Sequence, residues 1–138
     1  MATMRPDGLC PVTRPASGEA IPQEVFDSIA SGASMPFERS DLKGWYGNDV
    51  LWVNIHSQGA KRSEKFAWER LGRGSLTITA LRVDAQAPPA TAHIPNGYGD
   101  TGFQASGIDF PSAGCWEVVG TLAGKQLRFV VRVLDVLE

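Results

Sequence analysis

His56 and His93 are the only histidines in the 138-residue chain, and histidine is the side chain best suited to proton transfer near neutral pH. With a carboxylate such as Glu64 or Asp100, they would supply a small hydrolase or a metal-dependent enzyme. Nothing in their spacing favours that arrangement. No nucleophile-elbow pattern is present, and Glu24, Asp27, Glu38, Asp41 and Asp49 are scattered rather than paired. Surface or turn positions are the better reading of both histidines, so no catalytic residue and no metal ligand is assigned. The segment Gly97-Tyr98-Gly99-Asp100-Thr101-Gly102 matches G-x-G-x-x-G literally. A dinucleotide site needs a strand before that motif and a helix after it, so that the phosphates meet a helix N-terminus. Here Pro95-Asn96 precede it and an extended Gly/Ser-containing stretch follows. A glycine-rich loop at the end of a sheet is the better reading, and no cofactor is expected. Tyr98 at its tip is still placed to touch a ligand.

The chain has four tryptophans. Trp52 and Trp116 sit in apolar strand contexts and are expected in the core. Trp45 and Tyr46 lie in Lys43-Gly44-Trp45-Tyr46-Gly47-Asn48, which reads as a loop flanked by glycines. Exposed rings on such a loop stack on sugars or peptides, because a flat apolar face with a polar edge suits both. The plainer reading, that they close the end of the domain, is favoured, since small domains need large side chains there. Trp45, Tyr46 and Tyr98 are nevertheless the first residues to test for ligand binding. Lys61-Arg62-Ser63-Glu64-Lys65 reads as a solvated, mixed-charge connection rather than an anion site.

The elements that must hold these residues follow from composition and period. Thirteen basic against fifteen acidic residues give a net charge of −2, which argues against a dedicated nucleic-acid binder. Apolar residues make up 43% of the chain, enough for one folded domain, and no apolar run approaches the roughly 18 residues that cross a bilayer. Residues 1–20 read as an extended leader punctuated by Pro6, Pro11 and Pro15. They lack the apolar stretch of a signal peptide, and Arg5-Pro6-Asp7-Gly8-Leu9 is not the small, apolar approach to a lipidated cysteine. Residues 21–138 read as a single domain. A short helix over 23–31 follows Pro22 and stops at Gly32, with Val25, Phe26 and Ile29 as its apolar stripe.

From residue 50 onward the period is that of strands. Val50 to Ile55 is a nearly continuous apolar run, as in a central strand. Lys65 to Arg70 places Phe66 and Trp68 on one face. Leu76 to Leu81 points Leu76, Ile78 and Ala80 inward and its threonines outward. Thr91 to Ile94 is a short edge candidate between prolines. After Gly102 to Phe110 and a turn at 111–114, Cys115–Leu122 and Gln126–Leu134 form an antiparallel hairpin. Its inner face carries Trp116, Val118, Leu122, Leu127, Phe129, Val131 and Val133, with Arg128 and Arg132 on the other. Six or seven strands joined by Gly/Pro turns predict an all-β, antiparallel sandwich. Cys10 and Cys115 are 105 residues apart, with no Cys-x-x-Cys pair. Spacing alone leaves two buried thiols and one disulfide equally open.

The stretch Phe110-Pro111-Ser112-Ala113-Gly114-Cys115-Trp116-Glu117-Val118, followed by Phe129-Val130-Val131-Arg132-Val133, resembles the last two strands of bacterial immunoglobulin-like sandwiches. Trp116 stands where those domains usually carry a tyrosine, so its indole N–H is the available substitute for the hydroxyl that bonds the turn. Cys10-Pro11-Val12-Thr13, Trp45-Tyr46-Gly47-Asn48, Leu51-Trp52-Val53, Gly97-Tyr98-Gly99 and Gly114-Cys115-Trp116 together are similar to a family of uncharacterised bacterial proteins, many exported. The resemblance implies that the cysteines travel together as a disulfide, Cys10–Cys115, and that the protein works outside the cytoplasm. It implies no activity. The expectation is therefore a non-enzymatic exported module binding a protein, peptide or glycan, with no nucleic-acid partner, as a monomer or homodimer. The alternatives are the histidine-based hydrolase or metal enzyme, and a structural component that pairs through an edge strand near Val133 to Glu138.

Overall fold

A computed structural model describes residues 10–32 and 36–135. The rest, including parts of the expected leader (residues 1–9) and of the C-terminal edge segment (136–138), lie outside the described residues. A helix, α1 (Gln23–Ser31), precedes eight strands: β1 (Trp45–Gly47), β2 (Leu51–Asn54), β3 (Ser63–Arg70), β4 (Leu76–Arg82), β5 (Thr91–His93), β6 (Gly102–Asp109), β7 (Gly114–Leu122) and β8 (Lys125–Val133). They form two sheets, one in the order β1-β2-β3-β6-β5 and one in the order β4-β7-β8. All strand pairs are antiparallel. The all-β sandwich expected from the strand pattern is the observed fold.

One core fills the space between the sheets, and strand alternation selects its members. Leu51, Val53, Phe66, Trp68 and Ile108 come from the larger sheet. Ile78, Trp116, Val118, Leu127, Phe129 and Val131 face them from the smaller one. Trp68 and Phe129 meet across the layers at 5.9 Å. Gly120 lies in that inner row because the Trp68 indole occupies the space: a Cβ there would sit 2.6 Å from its Cζ3. Trp68 donates its indole N–H to Ser106 Oγ at 2.9 Å, so the buried polar edge is satisfied. The closing hairpin turns in two residues, Ala123 and Gly124, both with positive φ as the right-handed twist of the strands demands.

The unexpected strand is β1. Residues 45–47 read as a loop because a three-residue stretch that follows Gly44 and ends on Gly47 carries no legible period. Asn48 makes the turn that folds them back, accepting at Oδ1 from the Val50 and Leu51 N–H groups at 2.9 Å each. Pairing then sets Gly47 opposite Trp52.

A second, smaller core lies on the outer face of the large sheet. Val25 of α1 packs with Ile21, Leu42, Trp45 and Trp52. This layer explains why β2 is apolar on both faces: Leu51 and Val53 serve the sandwich, while Trp52 serves the helix. Val25 of the expected stripe is buried, and Phe26 and Ile29 pack at its margin.

Loops cover the open sides between the sheets. The free edge of β8 meets Asn48 Nδ2 at the Gln126 carbonyl (3.1 Å), Thr13 at both the N–H and carbonyl of Val130, and Ala60 at the Arg132 carbonyl and the Leu134 N–H. Ala16 N–H donates to the Trp45 carbonyl on the β1 edge, and Ala90 N–H to the Ala80 carbonyl of β4. The segment 10–16 thus bridges the edges of both sheets. A disulfide between Cys10 and Cys115, with Cα atoms 5.5 Å apart, ties its start to β7.

Candidate functional site

Arg70 ends β3 in the row of Phe66 and Trp68, and alternation therefore carries a guanidinium into the sandwich end, where it is 2% exposed. A buried cation needs acceptors. Arg70 finds six carbonyls. Its Nε donates to Gly102 O (3.1 Å), Nη1 to Gly99 O (2.9 Å) and Gly74 O (3.4 Å), and Nη2 to Tyr98 O (2.8 Å), Thr101 O (3.0 Å) and Phe103 O (3.3 Å). Gly97, Gly99 and Gly102 have φ of 103°, 70° and 77°, which lets the chain turn its carbonyls inward around the fork. A phosphate-binding loop does the reverse, offering N–H groups to an anion. The G-x-G-x-x-G segment is therefore wrapped on a cation supplied by the chain itself, and it runs into β6 rather than a helix.

This wrapping presents the Tyr98 side chain outward, 38% exposed, while its main chain is fixed. Phe103, 44% exposed on the outer face of β6, meets it at 5.6 Å and 61°. Farther along that face lie Ala105 and Gly107, set by register opposite Ala67 and Lys65 of β3. His93 of β5 flanks Gly107 on the other side. Lys65, His93, Pro95, Tyr98, Ala105 and Gly107 border an open groove of about 570 Å³. Near its β5 side, Asp109 accepts from Ser63 Oγ at Oδ1 (2.7 Å) and bonds His93 Nε2 at Oδ2 (2.9 Å). The Ser63 bond first, and the His93 bond next, hold the Asp109 carboxyl below the usual carboxylate range. A larger groove of about 930 Å³ runs past Leu81, Val83, Ala87 and Pro88 on the smaller sheet. Its arginine, Arg82, is already engaged by Asp84 Oδ1 (2.7 Å) and Ser112 Oγ (3.1 Å), so it offers less to a ligand.

The two histidines stand apart in chemistry. His56 bonds the Lys65 carbonyl through Nε2 at 2.7 Å, packs edge-on against Phe66 at 4.8 Å and has Glu64 at 3.8 Å. His93 has Asp109. Each histidine has its own carboxylate, and Ser63 bonds the aspartate rather than the imidazole, so neither histidine is placed as a base on Ser63. Among the described residues, no group of three His, Cys, Asp or Glu side chains converges as a metal site.

Trp45, Tyr46 and Tyr98 are not brought together. β1 and β5 form opposite edges of the five-stranded sheet, and alternation within β1 sends its two rings to opposite faces. Trp45 is 9% exposed beneath α1, and Tyr46 packs partly buried against the sandwich core. The segment read as a loop at 43–48 contains an edge strand at 45–47, and its two rings pack into the fold. Arg70 and Phe103 are the residues that the sequence reading missed. Arg70 had a signal, its even-numbered place in the buried row 66, 68, 70. Phe103 had none. Ser63, Glu64 and Lys65 belong to β3 rather than to a connection.

No protein-family model matches the chain, and no curated protein does. Among solved structures, a chain described as a "Putative Lipoprotein from Bacillus anthracis" aligns over 65% of this chain and 77% of that one, at 17% identity and a TM-score of 0.44. That degree of likeness carries no argument about function.

Proposed function

We propose that the protein is an exported, immunoglobulin-like, non-catalytic binding module whose ligand lies in the groove beside Tyr98 and Phe103. The carrying observation is the pair of exposed rings at 5.6 Å, Tyr98 on the loop and Phe103 at the start of β6, whose carbonyls Arg70 bonds from below. A fixed aromatic surface loses little entropy on binding. The Cys10–Cys115 disulfide supports an oxidising compartment, where such bonds persist. The immunoglobulin-like reading draws on the Trp116 corner, where the indole N–H bonds the Ser112 carbonyl at 3.0 Å and Phe110 packs edge-on at 5.3 Å. No observation favours the hydrolase reading. Pairing through β8 is disfavoured because Thr13, Ala60 and Asn48 already bond its free edge.

The test is a glycan and peptide array read with the native chain and with Tyr98→Ala and Phe103→Ala. Arg70 bonds the Tyr98 carbonyl, not its ring, so Tyr98→Ala keeps the loop. The expected result is loss of binding in both variants at unchanged melting temperature. Binding retained in both would refute the site.

A further inference from the structure

The chain has three asparagines, and the fold leaves one of them chemically free. Asn48 is held at both ends of its amide: Oδ1 accepts from the Val50 and Leu51 N–H groups, and Nδ2 donates to the Gln126 carbonyl. Asn54 Nδ2 donates to the Lys43 carbonyl at 2.9 Å, and the next main-chain N–H, that of Ile55, donates to the Gly44 carbonyl at 2.9 Å. Asn96 is exposed, and its amide has no partner among the described residues. Neither has the N–H of Gly97, which follows it. We propose that Asn96-Gly97 is a modification site, at which the chain deamidates itself with water as co-reactant and so loosens the loop under Tyr98. The proposal stands whether or not a ligand binds beside that ring.

Asparagine is a thermolabile residue, and its Cγ is one ring closure away from the following main-chain nitrogen. That nitrogen must lose its proton and turn onto Cγ, so a hydrogen bond from its N–H opposes the reaction. A Cβ on the following residue crowds the ring. Gly97 has none, sits at φ 103°, and would meet nothing within 4 Å if it had one. In the first step the Gly97 nitrogen gives its proton to hydroxide and bonds Asn96 Cγ. The Cγ–Nδ2 bond breaks, and Nδ2 leaves as ammonia, taking a proton from water and restoring the hydroxide. Water then opens the resulting succinimide at either carbonyl. Opening at Cγ leaves an aspartate. Opening at the main-chain carbonyl leaves an isoaspartate, whose main chain runs through Cβ and Cγ. Nothing is oxidised or reduced, and the net change is ammonia lost for water gained. The isoaspartate matters because the chain is pinned on both sides. The Pro95 carbonyl accepts from Gln104 Nε2 at 3.1 Å, and the Tyr98 carbonyl from Arg70 Nη2 at 2.8 Å. One extra main-chain carbon between those two bonds lengthens the span and shifts the loop against them. The aspartate keeps the main-chain length and adds only an exposed charge.

The experiment ages the folded, disulfide-bonded chain at mildly alkaline pH, with peptide mapping by mass spectrometry and enzymatic methylation to read isoaspartate. The peptide carrying residue 96 is expected to convert at least ~10-fold faster than those carrying residues 48 and 54. Asn96→Gln should stop the conversion, because its longer side chain would have to close a six-membered ring. It should leave the melting temperature unchanged, since the amide at 96 has no partner to lose. Hydrogen exchange in residues 98–103 should be faster in the chromatographically separated isoaspartate form than in Asn96→Asp, which carries the same charge on a normal main chain. Equal conversion at Asn48 or Asn54 would overturn the proposal. So would a folded chain that resists conversion, whether or not the urea-unfolded chain converts. Exchange no faster in the isoaspartate form than in Asn96→Asp would overturn the loosening of the loop.

Discussion

Arg70 Nη2 donates to the carbonyl of Tyr98 at 2.8 Å, so a buried cation in one sheet fixes the backbone beneath an exposed ring. The fold and the candidate site meet in that bond. The guanidinium is planar and offers five donors, which is why it can bind several loop carbonyls at once.

Replacing Arg70 with Met should therefore cost about 3–5 kcal/mol, because the loop carbonyls lose their partner in a site that water reaches poorly. Arg70→Lys should recover only part, since an ammonium cannot fork. Urea unfolding gives the cost, and hydrogen exchange in residues 97–103 locates it. A loss under about 1 kcal/mol would show that the loop holds itself.

The disulfide closes a loop of more than one hundred residues and anchors the segment that covers two sheet edges. Cys10→Ser with Cys115→Ser should lower stability by about 4 kcal/mol on chain-entropy grounds. It should also speed amide exchange at Val130, whose N–H bonds Thr13 Oγ1 at 2.8 Å. Unchanged exchange there would mean that Thr13 stays in place without the covalent tie.

Glu69 is buried on the outer face of β3, where burial raises its pKa despite the Ser28 hydroxyl bond and the Arg70 charge. A raised acid favours the folded state when protonated. Its contribution is full below the unfolded value of about 4.3 and is lost as pH rises through the higher folded value. Stability of Glu69→Gln relative to the native chain should accordingly rise with pH from about 4 to 8. Thermal melts across that range provide the check, and a difference that falls with pH would reverse the assignment.

Legibility followed the local signals. Val118, Leu122, Phe129 and Val131 alternate over long strands, and the core takes them in that order. Trp116 was readable as core from its apolar strand context, and the resemblance to immunoglobulin-like sandwiches implied that its indole N–H bonds the turn; it donates to the Ser112 carbonyl. The strand β1 was not. Three residues show no period, and their burial depends on a helix and on Leu42, which are brought there only by packing.

By itself the sequence determined the strand faces, the closing hairpin and the extended stretch that follows the glycine-rich loop, because period and turn chemistry are properties of neighbours along the chain. Only the tertiary structure decided that the glycine loop encloses Arg70, that Trp45 lies beneath α1 and that Tyr98 meets Phe103. Those relations join residues distant in sequence or on different strands, and they are settled by sheet order and by which face each layer covers.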